Sequence, residues 1–430
     1  MNKVCWLLCV FVALLLPVAG LAPAAQAQSA VLSADDIDYS RDEDSVTGRS
    51  RPEYDPQGIP VGAFRAYPSV GVTASYDDNV LRTPSDGKTD YFFSFAPDLN
   101  LVSQWSRHYL ALHAGANRFQ YSNLSSEDRT EWDVSAVGRL DIISGVGLSA
   151  NLAKASTFES RTSRDQIGAA GPTPYQRSDA RFIFSYDPYR FGVQVTGEFE
   201  RYNYDETKLL PSFGGGVLNN DDRDRDVYQI QAKALYEFSP GYALFVRPGY
   251  RKVTYDLQTG RAAGRDSEGY TMDGGINLLL GQLVKGEIYF GYINQNLQGQ
   301  EFQDLSGINY GAALRWYPTE LITVRLDASR TPNVTTIVGA SFSDERNVGV
   351  GIDYEARRNI IIQTDLTYTD TTLDGTTRRD EDFSARFGVR YLLNPYLVAD
   401  TAFTRSVRNS TATGRGFSDD VVSFTLTAHI

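Results

Sequence analysis

The sequence predicts an all-β fold, a closed antiparallel transmembrane β-barrel of about eighteen strands. Three observations predict it. Apolar and polar residues alternate with period two, segment after segment, from residue 64 to Ile430. The connections switch regularly between tight turns and long polar loops. The chain opens on an export-type leader, yet nothing after it approaches the ~20 consecutive apolar residues that a spanning helix needs.

The leader carries one cation, Lys3, then an apolar stretch from Val4 to Leu16 and the small-x-small triplet Ala25, Gln26, Ala27. This pattern predicts a cleavable signal peptide over residues 1–27. Cys5 and Cys9 both fall inside it, so the mature chain has no thiol, disulfide or thiolate metal site. Residues 28–63 crowd Asp35, Asp36, Asp38, Asp42, Glu43 and Asp44 before Pro52, Pro56, Gly58 and Pro60. Such a composition predicts a flexible acidic segment on the periplasmic side, with a plug in the pore as the alternative reading.

The barrel is expected over residues 64–430. Trp132, Val134, Ala136, Gly138, Leu140 and Ile142 alternate with Glu131, Asp133, Ser135, Arg139 and Asp141, one strand with a lipid side and a water side. The same parity runs through Tyr228 to Phe238, Tyr270 to Leu280, Ile308 to Trp316 and Phe383 to Tyr391. It closes with Val422, Phe424, Leu426, Ala428 and Ile430 against Ser423, Thr425, Thr427 and His429. Further strands are predicted at 66–76, 91–105, 108–121, 146–158, 179–187, 190–203, 242–255, 283–295, 320–330, 344–356, 359–369 and 396–405.

Tight turns fall near Ser106-Arg107, Ser144-Gly145, Asp187-Pro188, Ser239-Pro240-Gly241, Gly281-Gln282, Pro318-Thr319, Arg357-Arg358 and Asn394-Pro395. Long segments at 159–178, 204–225, 256–266, 331–343 and 406–419 separate them. Short periplasmic turns with long extracellular loops are the outer-membrane pattern, and an even strand count places both termini in the periplasm. Closure is required, because an open edge would strand unpaired backbone groups in hydrocarbon at several kcal/mol each.

A formal net charge of -12 argues against nucleic-acid binding. A mean hydropathy of -0.32 suits a barrel, since half of its strand residues face water. Tyr 26 and Phe 22 against Met 2 fit strands with interfacial aromatic belts.

The three histidines, His108, His113 and His429, sit in no nucleophile-base-orienter spacing, so no catalytic residue, cofactor or metal site is predicted. His113 has lumen parity and reads as a solvated lumen histidine. The candidate pore-lining charges are Asp98, Asp133, Arg139, Arg181, Glu198, Glu237, Arg247, Lys285, Glu287, Arg315, Arg325, Asp353 and Arg386. Their signs are mixed, which argues against strong ion selectivity. They either pair across strands to stiffen the wall or grade a polar path for a hydrated solute, and one set can do both. The acidic loop runs Asn219 to Asp226 and Arg378 to Asp382 lack the spacing of a calcium loop and read as solvated loop bases.

The run Arg51-Pro52-Glu53-Tyr54-Asp55-Pro56-Gln57-Gly58, then Gly62-Ala63-Phe64, then Ser75-Tyr76-Asp77-Asp78-Asn79-Val80-Leu81-Arg82-Thr83 resembles a bacterial outer-membrane β-barrel porin family. Pro97-Asp98-Leu99-Asn100-Leu101, Trp105-Ser106-Arg107-His108, Trp316-Tyr317-Pro318-Thr319 and Arg330 are similar to its internal marks, so the resemblance covers about residues 51–430. Its members are often encoded beside exopolysaccharide or capsule genes. The resemblance therefore implies a Gram-negative outer-membrane channel exporting a polysaccharide, with periplasmic export components, the barrel-assembly machinery, membrane lipid and lipopolysaccharide as partners. A general diffusion porin for small hydrophilic solutes is the alternative, and a barrel enzyme acting on lipid or glycan a weaker one. The terminal Ile430 departs from the aromatic residue that usually ends such barrels. Within the family-like turn, Tyr76, Asp77, Asp78 and Asn79 end the first strand, where Asp and Asn side chains can fix local backbone; sugar binding is the competing reading.

Overall fold

A computed structural model describes residues 42, 44–166, 168–187, 189–281 and 283–430; the predicted leader and residues 28–41 lie outside the described residues, as do Pro188 and Gln282 of two predicted turns. The strands are β1 (Ile59–Val61), β2 (Phe64–Asp77), β3 (Asp90–Ser103), β4 (Tyr109–Tyr121), β5 (Arg129–Ile143), β6 (Val146–Phe158) and β7 (Pro174–Tyr186). Then come β8 (Phe191–Tyr204), the two-residue β9 (Thr207–Lys208) and β10 (Val217–Leu218), β11 (Arg225–Ser239), β12 (Tyr242–Tyr255), β13 (Ser267–Leu280) and β14 (Val284–Leu297). The last are β15 (Leu305–Thr319), β16 (Ile322–Val334), β17 (Phe342–Arg357), β18 (Ile360–Leu373), β19 (Arg379–Asn394), β20 (Leu397–Ser410) and β21 (Phe417–His429).

One 19-stranded sheet contains all but β9 and β10, which pair with each other in a long loop. β1 folds back on the start of β2 through Ile59↔Ala66. The other strands each pair antiparallel with the next, β8 passing to β11, and the ring closes where β2 meets β21 from Ser69↔His429 to Asp77↔Val421. The predicted closed barrel of eighteen strands is what forms.

Side-chain parity sets the inside and outside. On β3, Tyr91, Phe93 and Phe95 stand exposed on the outer surface while Asp90, Phe92 and Ser94 are buried on the inner one. The outer surface keeps large apolar residues throughout, among them Ile230, Leu244, Phe290, Ile308 and Val348. Aromatic residues gather at both rims of that band. Tyr186, Phe191, Phe238 and Trp316 lie toward the short turns; Tyr91, Tyr228, Tyr270 and Phe383 lie toward the long loops. Gly145 and Gly241 take φ of +74° and +78° in two of the short turns, a conformation that favours glycine.

The long connections are shorter than the sequence suggests. β7 begins at Pro174 rather than 179, and β20 and β21 extend to Ser410 and from Phe417, leaving a connection of 411–416. The strands pair on past the apolar band, where both faces meet water and the alternation that marks a strand is lost. Residues 44–63 correct the expected flexible segment: they form β1 and a series of turns packed into the barrel's short-turn mouth. Their anchors are too few and too scattered to show in a composition rich in Asp and Pro.

Candidate functional site

The lumen wall is a lattice of paired charges. Arg181 holds Glu198 at 2.7 Å, Arg247 holds Glu287 at 2.8 Å, and Arg325 bridges Asp353 and Asp365 at 3.0 and 2.7 Å. His113 lies between Asp98 and Asp133, with ring nitrogens 3.2 and 2.8 Å from the carboxylates. Arg139 pairs with Asp141, and Glu237 accepts the Gly241 amide at the turn. Arg386 sits opposite Asp365 and Thr404 in the register and lines the main cavity.

Lys285 and Arg315 belong to a different group, because they reach the segment ahead of the barrel. Lys285 Nζ lies 3.1 Å from Asp42 and 2.6 Å from Asp44, and Arg315 lies 3.5 Å from Asp42. The Tyr317 hydroxyl donates to Asp42 at 2.6 Å. Burial works against the charged form of Asp42, but these hydrogen bonds from Tyr317 and Lys285 hold its carboxyl below the usual value. Val46 is fully buried, and its amide donates to Thr323 Oγ1 at 2.8 Å. Arg51 is nearly as buried; it meets Glu355 at 2.6 Å and donates to the carbonyls of Val46 and Arg358. Arg49 reaches Glu355 and the Glu320 carbonyl. All of these wall partners lie on the inner side of β14 to β17 or in their short turns, so the segment is seated inside the mouth.

At the other end, the connection between β6 and β7 (159–173) crosses the bore. Arg164 reaches Asp382 at 2.5 Å, and Glu345 and Asp380 both at 3.2 Å, on β17 and β19. In an eighteen-membered ring these strands lie across from β6 and β7. Asp165 accepts the Thr335 hydroxyl at 2.6 Å and the Thr336 amide, and Arg408 of β20 donates to the Thr162 carbonyl at 2.8 Å. The near end is fixed by Arg223 on Glu159 at 2.6 Å and by Arg161 on Glu127. Below this bridge lies a cavity of about 1260 Å³. One side of it is hydroxylated by Thr367 and Thr369 of β18, Ser384 of β19, and Thr404 and Ser406 of β20.

A closed β-barrel with an apolar outer band, two aromatic girdles and a polar, charged bore has the physics of a membrane channel. Residues 51–430 match the family model described as "Putative beta-barrel porin 2". The chain belongs to this porin family. No curated protein matches the chain. Among solved structures, OccAB3 of Acinetobacter baumannii is similar at 11% identity and a TM-score of 0.46, covering 86% of this chain and 100% of that one. OpdK of Pseudomonas aeruginosa is similar at 11% identity and a TM-score of 0.43, covering 85% and 98%. The siderophore receptor PirA from Acinetobacter baumannii is similar at 8% identity and a TM-score of 0.45, covering 85% and 80%.

In this outer-membrane porin the family-like turn fastens the seam between first and last barrel strands. Asn79 donates its side-chain amide to the carbonyls of Thr83 and Ser418, both within 2.9 Å, while its own amide donates to Asp77. Asp78 accepts the Asp420 amide at 2.8 Å. Arg82 joins Asp77 at 3.1 Å to Asp419 at 2.6 Å. Tyr76 instead faces outward and packs its ring on Tyr91, centroids 5.2 Å apart. The carboxylates of Asp77, Asp78 and Asp419 converge closely enough to hold a cation, and the Arg82 guanidinium already supplies the positive charge there.

The two acidic loop runs are not solvated as expected. Asn220, Arg223 and Asp380 are almost fully buried. Asp222 is gripped by the Arg261 fork, and Asp380 by Arg378, Arg164 and Ser410. Each carboxylate meets an arginine from a different connection, and a local charge count cannot show such a partner. For the same reason Arg51, Arg164, Glu345 and Glu355 escape the sequence reading of this porin. Parity identifies Glu345 and Glu355 as lumen-facing, but only the fold supplies the loops that bind them.

Proposed function

We propose that this porin is an export channel for an exopolysaccharide or capsular polysaccharide. The observation that carries the reading is the hydroxylated side of the main cavity, where Thr367, Ser384 and Ser406 are direct cross-strand neighbours. A hydrated glycan can exchange hydrogen bonds along such a row without a deep binding step, because hydroxyls both donate and accept. The paired wall charges keep the bore wet while imposing little net field. The short turns then lie in the periplasm with both chain ends, so the segment seated in that mouth meets the periplasmic export components first. Deleting the gene and weighing secreted polysaccharide tests this: export should fall strongly, and unchanged export in cells shown to lack the barrel overturns it.

The loop bridge at Arg164 favours a second reading, a diffusion porin for small hydrophilic solutes, since a strand of chain across the bore narrows it. Steady open conductance with normal polysaccharide export would select that alternative.

A further inference from the structure

We propose that the inner wall of β11 and β12 holds a binding site for carboxylate-bearing sugar units, centred on Arg251. The proposal rests on the export reading and names the class of glycan. Most lumen charges are neutralised in pairs, but Arg225 and Arg251 have no carboxylate at ion-pair distance among the described residues. The nearest acids are already engaged: Glu200 is held by Arg177 at 2.9 Å and Glu198 by Arg181 at 2.7 Å. Arg225 lies over the Tyr202 ring at 4.2 Å, donates to the Arg223 carbonyl at 3.1 Å and shares a side-chain hydrogen bond with Tyr204.

Arg251 faces Gln229 directly across the β11–β12 ladder, with Gln231 beside it opposite Gly249. Neither glutamine side chain has a hydrogen-bond partner among the described residues. Together with Tyr289, Asn309 and Asn333 these three residues line a cavity of about 250 Å³, on the scale of a sugar ring.

The chemistry of this group is specific. A half-buried guanidinium with no anion has lost hydration without compensation, and a carboxylate delivered by a solute restores the balance through two parallel hydrogen bonds. Free primary amides donate and accept at once, as vicinal hydroxyls require. A neutral sugar would use the amides and leave the cation unanswered. A free carboxylate would use the cation and leave the amides. A uronic-acid unit within a chain uses both.

The test is calorimetric binding to the full chain folded in detergent, with pentagalacturonate, maltopentaose and monomeric galacturonic acid as probes. Pentagalacturonate is expected to bind about tenfold tighter than maltopentaose, and R251Q to abolish that difference by weakening pentagalacturonate. R251K, which keeps the charge but not the fork, should recover part of it. Heat-modifiable gel mobility shows that each variant is folded. Equal binding of the two pentamers, or binding of neither, overturns the acidic-sugar assignment, while the export reading stands or falls separately on the gene deletion. A monomer that binds as tightly as the pentamer, or acid binding indifferent to R251Q and R251K, also overturns the proposal.

Discussion

The Arg51 guanidinium and the Glu355 carboxylate meet at 2.6 Å, each almost excluded from solvent, although one precedes the barrel and the other belongs to the inner face of β17. Breaking such a pair from one side leaves a buried charge behind, at about 3–5 kcal/mol. Arg51→Ala is therefore expected to unseat residues 44–58. Trypsin cleavage at Arg49 should speed up and bilayer conductance should rise; unchanged protection at Arg49 would contradict a seat held by this pair.

Acid should release the same segment only under strong conditions. The Asp42 carboxyl is held below its ordinary value of 3.8, so its contribution is present above that value and fades as pH falls through the lowered one. Cleavage at Arg49 by an acid-tolerant protease, or spin-label mobility at Ser50, should stay flat from neutral pH to about 4 and change below it.

Arg164 carries the bridge across the bore, and it also masks three carboxylates. Arg164→Ala should enlarge single-channel conductance and shift permeability toward cations, because Glu345, Asp380 and Asp382 lose a shared counter-charge. Reversal potentials in a salt gradient report the second effect, and a change in conductance without any change in selectivity would show that the bridge acts by bulk alone.

At the seam, Arg82→Ala leaves Asp77 and Asp419 facing each other with no cation between them. The expected cost is about 2–4 kcal/mol, read as a lower temperature for the heat-modifiable gel shift. Arg82→Lys should restore a portion, since a single ammonium reaches both acids less well than a fork.

In the long loop before β11, burial pushes the Asp224 carboxyl up to about 6, with Asp221 and Asp256 adding to it and the Tyr204 amide opposing. A raised carboxyl binds its proton more readily folded than unfolded, so folding becomes more favourable as pH drops through 6 toward the ordinary 3.8. Asp224→Asn should flatten thermal stability between about pH 7 and 5 and raise it at the upper end. A variant as pH-dependent as the parent would place the effect elsewhere.

The barrel was legible because lipid on one side and water on the other impose a strict period of two, and Trp132 to Ile142 or Phe424 to Ile430 show it without help. The lumen faces of Arg247, Arg325 and Asp353 followed from the same parity. What fills the bore was not legible. Arg164 reaches Asp382 across 218 positions and Arg51 reaches Glu355 across 304, so each looks locally like a solvated charge. Arg251 shares the lumen parity of Arg247 on the same strand, but its lack of an anion emerges only when Glu198 and Glu200 are seen to be occupied.

The ladder joining Ser69–Asp77 to Val421–His429 has a bearing on biogenesis. β21 is the last barrel strand to leave the ribosome, and until it arrives β2 and β20 both present raw margins of unsatisfied amides and carbonyls. A nonsense change anywhere in the final loop would thus yield not a weaker pore but a sticky ribbon, ready to pair with its siblings, and quality-control proteases would be expected to clear it.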